Sequence, residues 1–321
     1  MPSGAAGQCR VRRNRDGKPD LPFYGFVTSL AVDPIEKKPL YHFRPGSELL
    51  SAGFAGCNLH CPFCQNWQIS QSTDVSGRKI SPAGLIALAL EAVKATAQQH
   101  GAAIAYTYSE PLIHAEYLLD CMKEGRKAGV ANVLVSNGCI NSEAADEILD
   151  LTDAANIDLK SFSRETYKNV LGGDLDTVTG FIQSACKKQT ALELTTLIVP
   201  GLNDSRAELD LCRDFIAELH SGGNTVPWHL SAYHPDYKWN APATDPSSLI
   251  AAASRARDKL PYVYTGNIGT REGDRKFSDT LCPDCGKTLV ARNGYRIDTS
   301  GLVFNGTYLC ASCGSKAPVR Y

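Results

Sequence analysis

The middle of the chain alternates short runs of apolar residues with longer segments in which apolar residues recur every three or four positions. Seven of the short runs have the length of strands, and they span residues 49–56, 102–108, 132–137, 154–160, 192–199, 227–233 and 262–266. Several of these runs are apolar almost throughout, which is typical of parallel strands that are covered on both faces. The pattern therefore predicts a largely parallel sheet.

Amphipathic segments fill the gaps between these runs and predict helices. The first, at residues 81–100, begins with Ser81 as a helix cap and Pro82 at the first helical position. The other predicted helices span residues 111–128, 142–151, 174–189, 205–220 and 246–259. Repeated strand–helix order implies right-handed crossovers, and we predict an α/β fold with a partial (β/α)6-type barrel at residues 46–272. A Rossmann-type sheet is the alternative, although no Gly-x-Gly-x-x-Gly motif follows the first strand.

Polar residues gather directly after each predicted strand. Besides a cysteine cluster after the first strand, they form segments at residues 109–111, 136–138, 158–160, 200–204, 233–237 and 266–267. Active sites of barrels and open α/β sheets lie at the carboxyl ends of the strands. The sequence therefore predicts one active site to which nearly every strand–helix unit contributes.

The composition limits the kinds of partner. The chain has 321 residues, of which 43% are hydrophobic and 21% charged, and its net charge is -1. This balance indicates neither a nucleic-acid surface nor a membrane surface, and the basic stretch at residues 9–18 is expected to be a solvated terminal segment. No apolar run reaches the roughly 18 to 20 residues of a membrane helix, and the first residues lack the apolar core of a signal peptide. We expect a cytoplasmic protein, whose clustered cysteines bind metal or act in catalysis rather than form disulfides.

Two cysteine pairs lie near the end of the chain, where the composition also changes. Cys282 and Cys285 are separated by two residues, as are Cys310 and Cys313. Four thiolates can close a tetrahedral shell around Zn(II), and so short a segment needs a metal to fold. We expect residues 273–321 to form a zinc-ribbon-like module, with a rubredoxin-like iron site or four free thiols as the alternatives.

The cysteine cluster after the first strand has a different make-up. Cys57, Cys61 and Cys64 have no fourth cysteine nearby, and Gly56 and Phe63 suit a loop that wraps a metal cluster. Three thiolates on a 4Fe-4S cluster leave one iron open to another ligand. A redox pair of two of these cysteines and a zinc site completed from elsewhere are the alternatives. The remaining cysteines are expected to be small core residues; they are Cys9, Cys121, Cys139, Cys186 and Cys212.

The spacing Cys-x3-Cys-x-Phe-Cys resembles the signature of radical S-adenosylmethionine (SAM) enzymes. Other segments resemble one branch, the radical SAM enzymes of the AmmeMemoRadiSam system, which are related to pyruvate formate-lyase activating enzymes. These segments are DPIEKKPLYHFRPGS, YTYSEP, SNG, NIDLKSF, LIVPGLNDS, HPDYK and YVYTGN. The resemblance covers about residues 9–321. It implies that SAM binds the open iron of a 4Fe-4S cluster and is cleaved reductively to a 5′-deoxyadenosyl radical, which abstracts hydrogen from a substrate.

The resemblance also assigns residues to the site. Cys57, Cys61 and Cys64 match the cluster ligands. Tyr108, Ser109 and Glu110 stand where the family has Gly-Gly-Glu, whose glutamate holds the methionyl amine of SAM, so the two glycines are absent here. The other implied SAM contacts are Ser136, Asn137, Asp158, Lys160, Val199 and His234. A plain ion pair at a strand end is the alternative for Asp158 and Lys160, which point to one face of their strand. A loop histidine bonded to the backbone is the alternative for His234.

Partners and substrate follow from the same resemblance. It implies an electron donor of the flavodoxin or ferredoxin type. The hydrogen would come from a glycine Cα of a partner protein, as in glycyl-radical-enzyme activation, or alternatively from a small molecule or another partner protein. Residues 9–45 and the C-terminal module are expected to frame the barrel mouth. Relatives carry further cysteines before the sequence GQCRVRRN, so the N-terminal extension at residues 1–45 is expected to be shortened. A non-catalytic metal-binding protein and a thiol oxidoreductase using Cys61 and Cys64 remain open as other functions.

Overall fold

The computed structural model describes residues 2–72, 74–96, 101–188, 190–220, 225–269 and 272–320. Parts of two predicted helices, at residues 97–100 and at residue 189, lie outside the described residues, as do the first and last residues of the chain. The strands are β1 (Arg13–Arg15), β2 (Lys18–Asp20), β3 (Phe26–Pro34), β4 (Glu48–Phe54), β5 (Arg78–Lys79), β6 (Ala103–Thr107), β7 (Ala131–Ser136), β8 (Ala154–Asp158), β9 (Ala191–Ile198), β10 (Trp228–Ala232), β11 (Val263–Gly266), β12 (Thr280–Leu281), β13 (Thr288–Asn293), β14 (Arg296–Asp298), β15 (Leu302–Phe304) and β16 (Tyr308–Cys310).

Six of the described α-helices occupy the predicted segments between the parallel strands, and the short helices at Trp67–Ser70 and Arg164–Thr166 were not predicted. The α-helices are α1 (Trp67–Ser70), α2 (Pro82–Thr96), α3 (Ala115–Lys127), α4 (Ser142–Asp150), α5 (Arg164–Thr166), α6 (Leu175–Lys187), α7 (Arg206–Leu219) and α8 (Pro246–Ala256). Ser81 caps α2 as predicted, because its hydroxyl accepts a hydrogen bond from the Gly84 N–H at 3.1 Å. Among the described residues, no helix is both long enough and apolar enough to cross a bilayer.

Nine of the described strands form one sheet in the order β11-β10-β9-β8-β7-β6-β4-β3-β5. Strands β4 and β6 to β11 run parallel, and each pairs with its neighbour in this order. All seven match a predicted strand to within two residues at each end. In the described part of the chain β11 pairs with β10 alone, so the sheet does not close and the predicted partial barrel is confirmed. The Rossmann alternative is wrong, because a Rossmann sheet reverses its strand order and this one does not.

Strand β3 is the main element that the sequence did not predict. It pairs antiparallel with β4, with Leu30 opposite Ala52 and Pro34 opposite Glu48, and β5 pairs with its other edge. Most of its residues are only partly buried. Because the strand is not covered on both faces, its sequence lacks the continuous apolar run that marked the parallel strands. The chain therefore enters the main sheet earlier than residue 46.

The segment after β3 closes the amino-terminal end of the barrel. Ile35, Leu40 and Phe43 are buried there and pack with small residues of the parallel strands. These contacts fill the lower part of the barrel with apolar side chains. The space at the carboxyl ends of the strands stays available for polar groups.

The C-terminal module contains two small antiparallel sheets, one formed by β12, β13 and β14 and the other by β15 and β16. It docks on the amino-terminal end of the barrel. The backbone N–H of Arg44 donates to the Arg320 carbonyl at 2.7 Å. The Arg292 guanidinium lies 4.1 Å from the centre of the Tyr41 ring. Tyr262, which directly precedes β11, bonds the Leu281 carbonyl at 3.4 Å. The expectation that this module frames the barrel mouth is therefore wrong, because the module binds the opposite end of the strands.

Candidate active site

The three clustered cysteines lie on a tight loop that follows β4. The loop turns at Gly56, whose φ is +82°, and a Cβ at this position would lie 2.5 Å from the Cys9 carbonyl oxygen. Any side chain would therefore overlap the backbone of the N-terminal segment, and only glycine fits. This contact also places residues near Cys9 beside the cysteine loop, as expected for part of the 9–45 segment.

Contacts from two other segments, a π-helical turn at Tyr167–Leu171 and the loop after β10, hold the cysteine loop in place. The His60 N–H donates to the Leu171 carbonyl at 2.7 Å, and the Lys238 N–H donates to the Pro62 carbonyl at 2.8 Å. Phe63 is buried and meets the Trp239 ring edge-on at 6.5 Å between centroids. The positions of the three thiols are therefore fixed by the fold before anything binds.

A cavity of about 310 Å³ lies at the carboxyl ends of the parallel strands. The residues selected from the sequence that line it are Cys57, Cys61, Cys64, Ser109, Glu110, Ser136, Asn137, Asp158 and Lys160. They lie at or directly after the carboxyl ends of β4, β6, β7 and β8, which are neighbours in the sheet. The predicted convergence of strand-end residues on one site is thus observed for these residues.

Burial keeps the Cys57 and Cys61 thiols protonated when they are unligated. The Cys57 pKa is raised well above its usual range, first by burial and then by the Glu110 carboxylate. Burial raises the pKa of Cys61 to about 11, and the charge of Lys160 opposes that rise. A reactive redox thiol needs the reverse, a lowered pKa. These thiols suit a metal, whose charge can replace their protons, better than a thiol oxidoreductase.

Glu110 is a buried carboxylate at the centre of the cavity wall, with only 1% of its surface exposed. It accepts hydrogen bonds from the Ser136 hydroxyl at 2.7 Å, the Asn137 N–H at 2.8 Å and the Leu112 N–H at 3.0 Å. Burial raises its pKa to about 7, although these hydrogen bonds act in the other direction. A buried carboxylate without a cation is costly, so the site favours a positively charged ligand beside it.

Asp158 and Lys160 form an ion pair with a 2.8 Å contact between Oδ2 and Nζ. Both residues line the cavity as well; Asp158 is the last residue of β8, and Lys160 follows it. The ion pair that was considered as the alternative therefore exists, but its two residues are part of the cavity wall.

Two selected residues lie outside the cavity lining. Val199 is fully buried in the hydrophobic core, and its N–H bonds the Asn203 side chain at 2.7 Å. His234 is exposed, and its Nε2 lies 2.9 Å from the Gln65 side-chain nitrogen. Their implied contacts with SAM stay predictions.

Several lining residues were not selected from the sequence. Thr195, Leu197 and Ser231 point into the barrel from within β9 and β10, whereas the residues selected from the sequence lie at or just after the ends of strands. Thr195 and Leu197 are two positions apart, the spacing of one strand face, and that spacing was a usable signal. Lys37 and Lys38 also line the cavity, and they lie in the segment DPIEKKPLYHFRPGS, which contributed to the resemblance but from which no site residue was selected.

The four C-terminal cysteines form a separate metal-binding group. Their sulfur atoms all lie within 4.8 Å of one another. The Cys282 and Cys313 sulfurs are 3.6 Å apart, and those of Cys285 and Cys310 are 3.7 Å apart. A tetrahedral ion bound to sulfur at about 2.3 Å would keep its ligands about 3.8 Å apart. The arrangement can therefore hold one metal ion.

Comparison with known proteins connects this site to a family. The model of the Radical SAM superfamily matches residues 53–212, which include the cysteine loop and Glu110. An uncharacterized protein of Methanocaldococcus jannaschii is 35% identical over 320 residues, covering 98% of this chain and 91% of that protein. Pyruvate formate-lyase 1-activating enzyme of Escherichia coli is 23% identical over 192 residues, covering 59% of this chain and 76% of that enzyme.

Solved structures share the barrel. The crystal structure of a radical SAM methyltransferase from Sphaerobacter thermophilus superposes with a TM-score of 0.50 at 12% identity, covering 77% of this chain and 71% of that chain. At so low a sequence identity, the similarity is evidence for a shared fold only. The fold, the cysteine loop after the first parallel strand and the matched family model agree, and the chain belongs to the radical SAM superfamily.

Proposed function

We propose that this protein binds a 4Fe-4S cluster through Cys57, Cys61 and Cys64 and uses it to cleave SAM for hydrogen abstraction. The observation that carries the proposal is that these three thiols and the buried Glu110 line one cavity. When bound and reduced, the cluster supplies one electron to SAM, which yields methionine and a 5′-deoxyadenosyl radical that takes hydrogen from a substrate.

The donor set fits such a cluster. All three thiols are free of disulfides, and the described lining of the cavity contains no fourth cysteine and no histidine. Three thiolate ligands leave one iron with an open position. The carboxylate and amino groups of SAM can occupy that position.

The residues around the thiols would orient SAM. Glu110 would accept hydrogen bonds from the methionyl ammonium, and its contacts with Ser136 and Asn137 fix the direction of its oxygens. The Asp158–Lys160 pair offers a carboxylate for ribose hydroxyls and an ammonium for the SAM carboxylate. Ser109, whose hydroxyl donates to the Phe54 carbonyl at 2.6 Å, lines the same cavity.

For the substrate, we propose hydrogen abstraction of the activating-enzyme type, from a glycine Cα of a partner protein. The support is the resemblance to pyruvate formate-lyase activating enzymes at low identity. A flavodoxin- or ferredoxin-like donor would supply the electron. The alternative is a small-molecule substrate, and a specific observation favours it: the cavity extends beyond the thiols to Lys38, as described below.

Anaerobic reconstitution with iron and sulfide, followed by reduction in the presence of SAM, tests the proposed reaction. We expect 5′-deoxyadenosine and methionine in equal amounts. Protein that binds a full cluster and still forms no 5′-deoxyadenosine under these conditions would not be a SAM-cleaving enzyme. Deuterium transfer into 5′-deoxyadenosine from labelled candidates would then separate protein from small-molecule substrates.

We further propose that Cys282, Cys285, Cys310 and Cys313 bind structural Zn(II). Replacing the exposed Cys285 with serine is expected to remove one equivalent of zinc and to lower the thermal stability of the module, because its small core depends on the metal. Elemental analysis of zinc and iron, with Ser312→Ala as the control, measures this. Iron rather than zinc in the native site would indicate a rubredoxin-like centre. Unchanged metal content in Cys285→Ser would contradict the assignment of Cys285.

A further inference from the structure

A pair of lysines lines the same cavity as the cysteine thiols but comes from the other end of the barrel. Lys37 and Lys38 follow β3, which ends at Pro34, opposite Glu48 at the start of β4. The cysteine loop follows the end of β4. The cavity therefore runs down the inside of the barrel, from the thiols to the lysines.

The two lysines share a single carboxylate. The Lys37 ammonium lies 2.9 Å from Asp33 Oδ1, and the Lys38 ammonium lies 2.8 Å from Asp33 Oδ2. The Tyr108 hydroxyl donates to the same Oδ2 at 2.6 Å. Three donors thus meet one acceptor group, and the cluster carries one positive charge in excess.

Lys38 retains unused donor capacity. Only 2% of its side chain is exposed. An ammonium has three N–H donors, but among the described residues Lys38 donates a hydrogen bond to Asp33 alone. The ammonium also lies 4.6 Å from the centre of the Tyr108 ring, which stabilises its charge. A buried ammonium usually finds acceptors for its remaining donors, and the cavity is where they can be supplied.

Burial lowers the pKa of Lys38, while the hydrogen bond and charge of Asp33 act against that effect. A second anion beside Lys38 would favour the charged form further. The buried lysine is therefore better suited to an anionic ligand than to a neutral one.

Tyr108 connects this lysine cluster to the SAM end of the cavity. Its φ is +68°, in the region that favours glycine, and the position corresponds to a glycine of the family motif. The Asn66 side chain holds its carbonyl at 2.6 Å, and Asp33 holds its hydroxyl. Such a strained residue persists only where its surroundings fix it, and strain of this kind gathers at functional sites.

We propose that Lys38, supported by Lys37 and Tyr108, binds an anionic group of the substrate that gives up the hydrogen atom. This inference rests on the proposed cleavage of SAM and, of the two substrate classes named there, takes the small molecule, because the anion would lie inside the same cavity. The anion is a carboxylate or a phosphate. Charge-assisted hydrogen bonds from the buried ammonium would anchor one end of the substrate and leave its other end toward the thiols.

Binding of inorganic phosphate and of acetate to the reconstituted full chain tests the proposal, measured by calorimetry without SAM. We expect Lys38→Gln to weaken the binding at least tenfold and Asp33→Asn to tighten it, because Asp33 competes with the ligand for both lysines. Lys123→Gln, which removes an exposed lysine paired with Glu147, is the control and should leave the affinity unchanged. Tighter phosphate binding would indicate a phosphorylated substrate, and tighter acetate binding a carboxylic acid.

Equal affinity in the wild-type protein and Lys38→Gln would overturn the proposal, as would the absence of anion binding in the wild-type protein. Should Lys38→Gln fail to fold, Asp33→Asn decides: tightening supports the site, and unchanged or weaker binding overturns it. The outcome is separable from SAM cleavage. Formation of 5′-deoxyadenosine without lysine-dependent anion binding would refute this inference alone, whereas anion binding without SAM cleavage would refute the proposed function.

Discussion

Replacing Cys57 with alanine is expected to abolish both the iron–sulfur absorbance and the formation of 5′-deoxyadenosine. Cys57 is one of three thiols on the loop after β4, and the described cavity lining offers no other cysteine to replace it. The Gly56 turn and the loop contacts prevent a neighbouring thiol from moving into its place. The visible spectrum and the iron content after anaerobic reconstitution measure the first effect.

Cys186→Ala is the matched control for this substitution. Cys186 is also a partly buried cysteine, but it lies on α6, at the amino-terminal side of the barrel. Its replacement should leave the spectrum and the iron content as in the wild-type protein. A Cys57→Ala protein with a full complement of cluster iron would show that Cys57 is not a ligand.

Replacing Glu110 with glutamine is expected to weaken SAM binding at least 100-fold while the cluster is retained. The substitution keeps the shape of the side chain but removes its charge, so the methionyl ammonium would lose its buried counter-ion. Breaking a buried ion pair costs about 3–5 kcal/mol, and about 1.4 kcal/mol corresponds to a tenfold change in affinity. Equilibrium binding of SAM to the reconstituted protein measures the effect.

Glu36→Gln is a suitable control, because Glu36 is another buried glutamate whose pKa is raised by burial. It bonds the Gly46 N–H at 2.8 Å at the amino-terminal end of the barrel. This variant should lose stability without losing affinity for SAM. If Glu110→Gln bound SAM as tightly as the wild-type protein, Glu110 would have no role in holding the ammonium.

The parallel strands and their helices could be predicted because each is encoded locally. An apolar run of strand length or an amphipathic repeat is visible in the sequence without knowing its partner, and short connections fix the neighbours. Strand β3 could not be found in this way. It is only partly buried, and its place depends on antiparallel pairing with β4 rather than on its own pattern.

The features of the site also differ in whether they are encoded locally in the sequence. The thiols at 57, 61 and 64 lie close together in the sequence, so their spacing alone indicated a metal cluster. The hydrogen bond between Tyr108 and Asp33 joins residues 75 positions apart, and nothing in either segment predicts it. The position of the C-terminal module was misjudged for the same reason. Its docking on the amino-terminal end depends on Arg292 and the backbone of residues 41–44, contacts that only the folded chain brings together.

The central claim is that the three thiols and Glu110 form a site for reductive cleavage of SAM. The amount of 5′-deoxyadenosine formed by reduced, reconstituted protein, measured beside Cys57→Ala, tests it most directly. The proposed function predicts 5′-deoxyadenosine from the wild-type protein and none above background from the variant. No 5′-deoxyadenosine from wild-type protein that carries a full cluster, or equal amounts from both proteins, would contradict it.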